Sequence, residues 1–289
     1  MNNSVNTNDN YGFCLDSSSN NTLANNAMAG NKYNFGVYGD APSDFHQNID
    51  TSNLVDGKPI YYWVEQQNQQ IPDDAGLVGI VNCTNITVRD LTLTNNGQGV
   101  LLAYTKDSRI ENVNASNNCY GIWLKESSNN IICNNNINSN GCGIGLYSSN
   151  NLFYLNNFVD NSETICLSPW TVSNNKNGIY LDFSSNNVIT ENTMKSDGIF
   201  IKGFLPQYWN THTIENNTVN GKPLYYFKNR IGGKIPEDAG QVILANCTGM
   251  IIENLSITNT DAGILLGYSS ENTVKNSNAS NSDYGIYLY

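Results

Sequence analysis

Five aromatic residues, Tyr38, Trp123, Tyr180, Phe200 and Tyr287, recur at the x position of a short Gly-apolar-x-apolar tetrad. On a strand the neighbours of x point one way and x the other, so these rings are expected on an outer face. Rings flanked by Asn and Asp suit sugar stacking, in which the ring covers apolar C–H faces and polar side chains bond the hydroxyls. Rings at matching positions of neighbouring strands also stack on one another within a sheet, and the residues leave both readings open. The row is interrupted by Leu101, Gly145 and Leu265.

Acid chemistry has fewer candidates. Cleavage of a glycosidic bond uses two carboxyl groups roughly 5 to 9.5 Å apart. Asn259-Thr260-Asp261 resembles part of a polygalacturonase signature, yet the equivalent residues of the repeat described below are Asn95-Asn96-Gly97 and the companion motifs are absent. Asp73-Asp74 recurs as Glu237-Asp238, a pair expected to cap backbone amides in a turn. Arg89, Arg109 and Arg230 are the only arginines and none recurs, which leaves a lyase without a repeated basic residue. The leading expectation is a non-catalytic structural or carbohydrate-interacting chain, with a polysaccharide lyase or glycoside hydrolase as the alternative.

The elements that would position these residues come from repeats on two scales. Tetrads at Gly99, Gly121 and Gly143 are spaced by 22 residues, and polar turns such as SSNNIICNNNI and SSNNLFYLNNF follow them. Strands this short cannot bury an apolar face alone, so coils of about 22 residues must stack, each pairing in parallel with the next at about 4.8 Å. This predicts an all-β chain, a right-handed parallel β-helix or solenoid of ten or eleven coils, continuous over residues 1–289. Inward Asn side chains of the turns are expected to bond the backbone of neighbouring coils.

On the long scale, residues 57–124 match 221–288 without a gap, at 30 identities in 68 positions, and the duplication extends over 11–124 and 177–288. Within it the segments beginning VDGKPIYYWV and VNGKPLYYFK depart from the plain coil. Their least similar stretches, 64–70 and 228–234, are expected on protruding loops. The recurring Lys58, Tyr61, Tyr62 and Asp74, with Lys222, Tyr225, Tyr226 and Asp238, form a candidate cluster beside each loop, either as recognition spots or as anchors.

A net charge of −11 with only 14 Lys and Arg excludes the basic patch that nucleic acid requires. No run of 18 apolar residues exists to span a membrane. The seven cysteines, Cys14, Cys83, Cys119, Cys133, Cys142, Cys166 and Cys247, form no CxxC pair and are expected mainly as small buried residues, with Cys119 and Cys142 the best placed for a disulfide. No metal or cofactor is expected. The start lacks a signal-peptide pattern and the end falls within a strand pattern, so signal, anchor or further domains are expected outside the chain.

The GIYL-x-x-SSNN coils and the GKP-[IL]-YY…DAG…NCT segments at 57–84 and 221–248 resemble the NosD-like parallel β-helix repeat proteins, also described as CASH (carbohydrate-binding and sugar-hydrolase) domains. The resemblance covers nearly the whole chain. It implies an extracellular, cell-surface or periplasmic setting and a structural role or a polysaccharide or surface-glycan partner. The NosD name also implies copper delivery, whereas this chain holds two histidines, His46 and His212, and four scattered methionines. Nine Asn-x-Ser/Thr acceptors, among them Asn82, Asn114 and Asn246, would matter in an exported protein.

Overall fold

The structure, a computed structural model, describes residues 2–159, 161 and 177–289. Apolar residues at every second position stack coil upon coil, as in the register Val78, Val100, Ile122, Ile144, Ile179, Ile199. The result is a right-handed β-solenoid of about 12 turns. A full coil has three strands, for example Tyr120–Lys125, Ser128–Cys133 and Asn136–Asn138, and each joins a separate parallel sheet. The interior column, with Ile122, Ile132, Ile137 and Ile144 among it, is fully buried.

Asparagine, 52 of the 289 residues, solves two problems of the turns. Each bend needs left-handed backbone, which Asn tolerates better than most residues. Among the described residues, 19 of the 35 non-glycine positions with positive φ are Asn. Inward Asn side chains complete backbone groups that the bends leave unpaired. The backbone N–H of Asn96 donates to Asn118 (2.9 Å), Asn118 to Asn140 (2.9 Å), Asn140 to Asn161 (3.1 Å), and Asn161 to Asp197 (2.9 Å). A second ladder runs from Ser108 through Asn130, Asn151 and Asn187 and ends on Nδ1 of His212.

The stack changes course twice. At Asp56-Gly57 a tight hairpin pairs Leu54 with Pro59 and Val55 with Lys58 in antiparallel register, and Asn220-Gly221 repeats it with Thr218–Pro223 and Val219–Lys222. Gly57 and Gly221 have φ of +81° and +76° with no atom within 4 Å of an added Cβ, so backbone conformation rather than space demands glycine. Through each hairpin the sheet of third strands continues as the sheet of first strands of the next segment.

Residues 64–70 and 228–234 are not loops. Gln67–Gln70 and Ile231–Lys234 are edge strands that pair in parallel with Thr84–Arg89 and Thr248–Glu253. Their side chains are almost all exposed, so nothing buried restrains their sequence. The coils that contain them are short: Asn82 lies 17 residues after its partner Glu65. The turns number about 12, where ten or eleven are expected.

The cysteines also depart from expectation. Cys14 is exposed, whereas Cys83, Cys133, Cys142 and Cys247 are buried free thiols. Cys119 and Cys142 do sit on adjacent coils, the Cys142 N–H donating to the Cys119 carbonyl at 2.9 Å. Cys142 is nevertheless free while Cys119 is disulfide-bonded, so the two are not joined. Cys166 lies outside the described residues.

Candidate functional site

The hairpin at Gly57 folds the first coils back against the outer face of the middle ones. The backbone of Val37 meets the side chain of Gln98, its N–H donating to Oε1 at 3.2 Å and its carbonyl accepting from Nε2 at 3.2 Å. Beside this contact run the strands Tyr120–Lys125, Cys142–Tyr147, Asn177–Asp182 and Gly198–Lys202. Between them and Tyr38-Gly39-Asp40 lies a cleft of about 570 Å³.

Two outward rows run here from coil to coil, and all their residues but Phe200 line the cleft. One is Trp123, Gly145, Tyr180, Phe200; the other is Lys125, Tyr147, Asp182, Lys202. In the first row Trp123 stacks on Tyr120 at 5.5 Å and Tyr180 on Phe200 at 5.9 Å. Gly145 separates the pairs because the Tyr120 ring leans over it, 2.9 Å from where a Cβ would stand. Tyr287 packs on Phe200 from the last strand at 5.2 Å, and Tyr38 meets Trp123 at 5.6 Å.

All five aromatic residues singled out in the sequence thus converge on one face, with two corrections. Tyr38 is not at the x position: it pairs with Asp16, and Gly36 with Cys14, which sets it one outward step along the strand. Tyr38 and Phe200 are buried, because neighbouring coils cover them, whereas Trp123, Tyr180 and Tyr287 stay half-exposed.

The second row holds the polar chemistry, which sequence reasoning missed. Lys125 is buried, its Nζ 3.1 Å from Asp40 Oδ1 and 3.6 Å from the centre of the Tyr147 ring. Asp182 is nine-tenths buried and its Oδ1 has no hydrogen-bond partner. Burial raises the pKa of its carboxyl from the ordinary aspartate value, while Lys202 and Lys125 pull it back. The only sequence signal was position: each residue of this row lies two places after x.

The GKPxYY clusters lie at the hairpins and line no part of this cleft. Tyr61 donates to Asp74 Oδ1 at 2.9 Å, and Tyr225 to Asp238 Oδ1 at 2.9 Å. Tyr62 donates to the Phe45 carbonyl at 2.6 Å, and Tyr226 to the Trp209 carbonyl at 2.5 Å, tying each hairpin to the short helix before it. Lys58 is exposed, and Lys222 Nζ reaches the Ser256 carbonyl at 3.1 Å.

Two family profiles match the sequence: "Periplasmic copper-binding protein (NosD)" over residues 64–170 and "Right handed beta helix region" over 158–289. Together the two matches support the reading of the chain as a NosD-like parallel β-helix repeat protein. Among curated proteins none matches it. Solved structures similar to this chain include an alginate lyase from Paenibacillus sp. str. FPU-7, 11% identical, covering 92% of this chain and 99% of that one at a TM-score of 0.42. A DFA-IIIase mutant from Arthrobacter chlorophenolicus A6 is 12% identical, covering 95% and 73% at 0.40. The A-module of an Azotobacter vinelandii mannuronan C-5 epimerase is 13% identical, covering 99% and 78% at 0.37.

Copper, which the family description names, finds no fitting donor set among the described residues. Among the described residues no three His, Cys, Asp or Glu side chains group closely enough to hold a metal. His212 is buried with both ring nitrogens engaged, Nδ1 by the Asn187 N–H and Nε2 by the Tyr208 carbonyl. No helix among the described residues is long and apolar enough to cross a membrane.

Proposed function

We propose that this NosD-like β-helix is a carbohydrate-binding module of an exported cell-surface protein, that residues 1–289 act as one continuous module, and that the cleft holds the glycan. The observation that carries the reading is the pair of ring stacks, Trp123 with Tyr120 and Tyr180 with Phe200, beside a row of charged and hydroxyl-bearing side chains. Rings of this kind cover the apolar faces of pyranoses, and the polar row supplies partners for their hydroxyls. The GKPxYY tyrosines serve as anchors of the hairpins, since their hydroxyls are spent within the chain. A glycan-array screen of the full chain tests the reading. Binding that is lost in Trp123→Ala and Tyr180→Ala supports it, and silence across the array leaves a structural spacer.

A second reading, cleavage of a polysaccharide, is favoured by one observation. Asp182 is a carboxyl group with a raised pKa in a cleft, the condition under which an acid can protonate a leaving oxygen. Assay of reducing-end release and of unsaturated products from the bound polysaccharides separates the two: cleavage abolished by Asp182→Asn replaces the binding reading with an enzymatic one.

A further inference from the structure

The charge pattern of the cleft narrows what it can hold, on the reading that it binds a glycan. Its wall and floor carry four carboxyl groups, on Asp16, Asp40, Glu126 and Asp182, against two ammonium groups, on Lys125 and Lys202. One ammonium is already spent: Lys125 is buried between Asp40 and the Tyr147 ring. The cleft therefore presents Lys202 against an excess of acid, in a chain whose net charge is −11. A ligand carboxylate or sulfate entering it would be repelled by Asp182 and Glu126, and like charges brought together cost affinity directly.

Asp182 adds a positive requirement. Its Oδ1 is buried and without a partner, and an acceptor in that state costs free energy until a donor reaches it. Lys202 stands on the adjacent coil, in register with Asp182, yet no ion pair joins them. A hydroxyl or ammonium of a ligand lying across Gly145, between the two ring stacks, would supply that donor.

We propose that the cleft selects a glycan free of carboxylate and sulfate, a neutral or amino-bearing polysaccharide that donates a hydrogen bond to Asp182. Ring stacking with Trp123 and Tyr180 supplies affinity, and the acid excess supplies the discrimination.

Calorimetric titration of the full chain with size-matched oligosaccharides, run at about 0.15 M salt to keep long-range charge effects screened, tests this. The probes are a neutral β-glucan, a neutral mannan, a chitosan oligomer and a uronate oligomer. Binding of a neutral or amino-bearing probe at least about tenfold tighter than the uronate is expected. Asp182→Asn should weaken that probe roughly five- to tenfold, as expected for loss of a hydrogen bond to a charged acceptor, and Lys202→Met should change it less than about twofold. Asp16→Asn, at an exposed rim position, should narrow the discrimination against uronate without disturbing the core, which covers the case that Asp182→Asn fails to fold. Preference for the uronate, strengthened by Asp182→Asn and lost in Lys202→Met, overturns the selectivity while leaving glycan binding intact. Binding of none of the probes overturns both.

Discussion

Gln241 grips the backbone of Ile199 with both ends of its carboxamide: the Ile199 N–H donates to Oε1 at 3.0 Å, and Nε2 donates to the Ile199 carbonyl at 2.9 Å. Gln98 holds Val37 in the same way. Each contact falls where a bend brings an earlier coil against a later one, so one glutamine side chain stands in for a strand partner that the change of course removes. Gln241→Leu keeps the bulk but leaves a buried N–H and C=O unpaired. It should cost about 2–4 kcal/mol in chemical denaturation, with the Gln98→Leu loss similar.

His212 ends an asparagine ladder as a neutral imidazole, and burial lowers its pKa to about 4. A histidine depressed in the folded state contributes stability that is fully present above its unfolded value near 6.5 and is lost as pH falls toward the folded value. At about 1.4 kcal/mol per pH unit, roughly 3 kcal/mol should disappear between pH 6.5 and 4. His212→Asn retains an acceptor for the Asn187 N–H and cannot charge. Denaturant midpoints measured across that range should fall less steeply for the variant than for the parent chain.

Asp261 shows the opposite sign. Its carboxyl is fully buried with neither oxygen partnered, and burial, with Asp283 and Asp197 nearby, pushes its pKa well above the usual carboxylate range. An acid raised in the folded state contributes stability that is present below its unfolded value and is lost as pH rises through the folded one. Asp261→Asn removes the charge at nearly constant shape. It should stabilise the chain by about 1–3 kcal/mol at pH 8 and by little near pH 3, as read from thermal melts at the two values.

How much of this was legible follows from what each residue repeats. The Gly-apolar-x-apolar tetrads expose the coil because the same residue types recur at the same spacing, and Trp123, Tyr180, Phe200 and Tyr287 align by that rule. Tyr38 broke it, since aligning on Gly36 slipped its strand by two residues relative to the pairing of Phe13 with Phe35. Lys125, Tyr147, Asp182 and Lys202 each lie two places after x, but they mix cation, phenol and carboxylate, so no recurring residue type marks the row and the pairing register is what unites them. His212 joins an Asn ladder unseen for the same reason. The two hairpins rest on antiparallel pairs of two residues each, too short to leave any periodicity.

The pair of Lys125 with Asp40 offers the sharpest test of how the cleft is held. The ammonium is buried at 3% exposure while the carboxylate side chain is 64% exposed, so the partners are unequal. Lys125→Met removes the buried charge, leaves Asp40 in water and retains an apolar stem over Tyr147, so it should cost less than about 1 kcal/mol. Asp40→Asn leaves the buried ammonium with the Tyr147 ring and the Asp182 carboxyl two coils away, and should cost about 2–3 kcal/mol. The double variant should recover most of that loss, because the stranded charge is gone. If urea midpoints instead rank Lys125→Met as the more damaging single change, the ammonium is stabilised chiefly by the ring, and the early coils are held over the cleft by the Tyr104 hydroxyl on the Asp40 carbonyl at 3.1 Å rather than by charge.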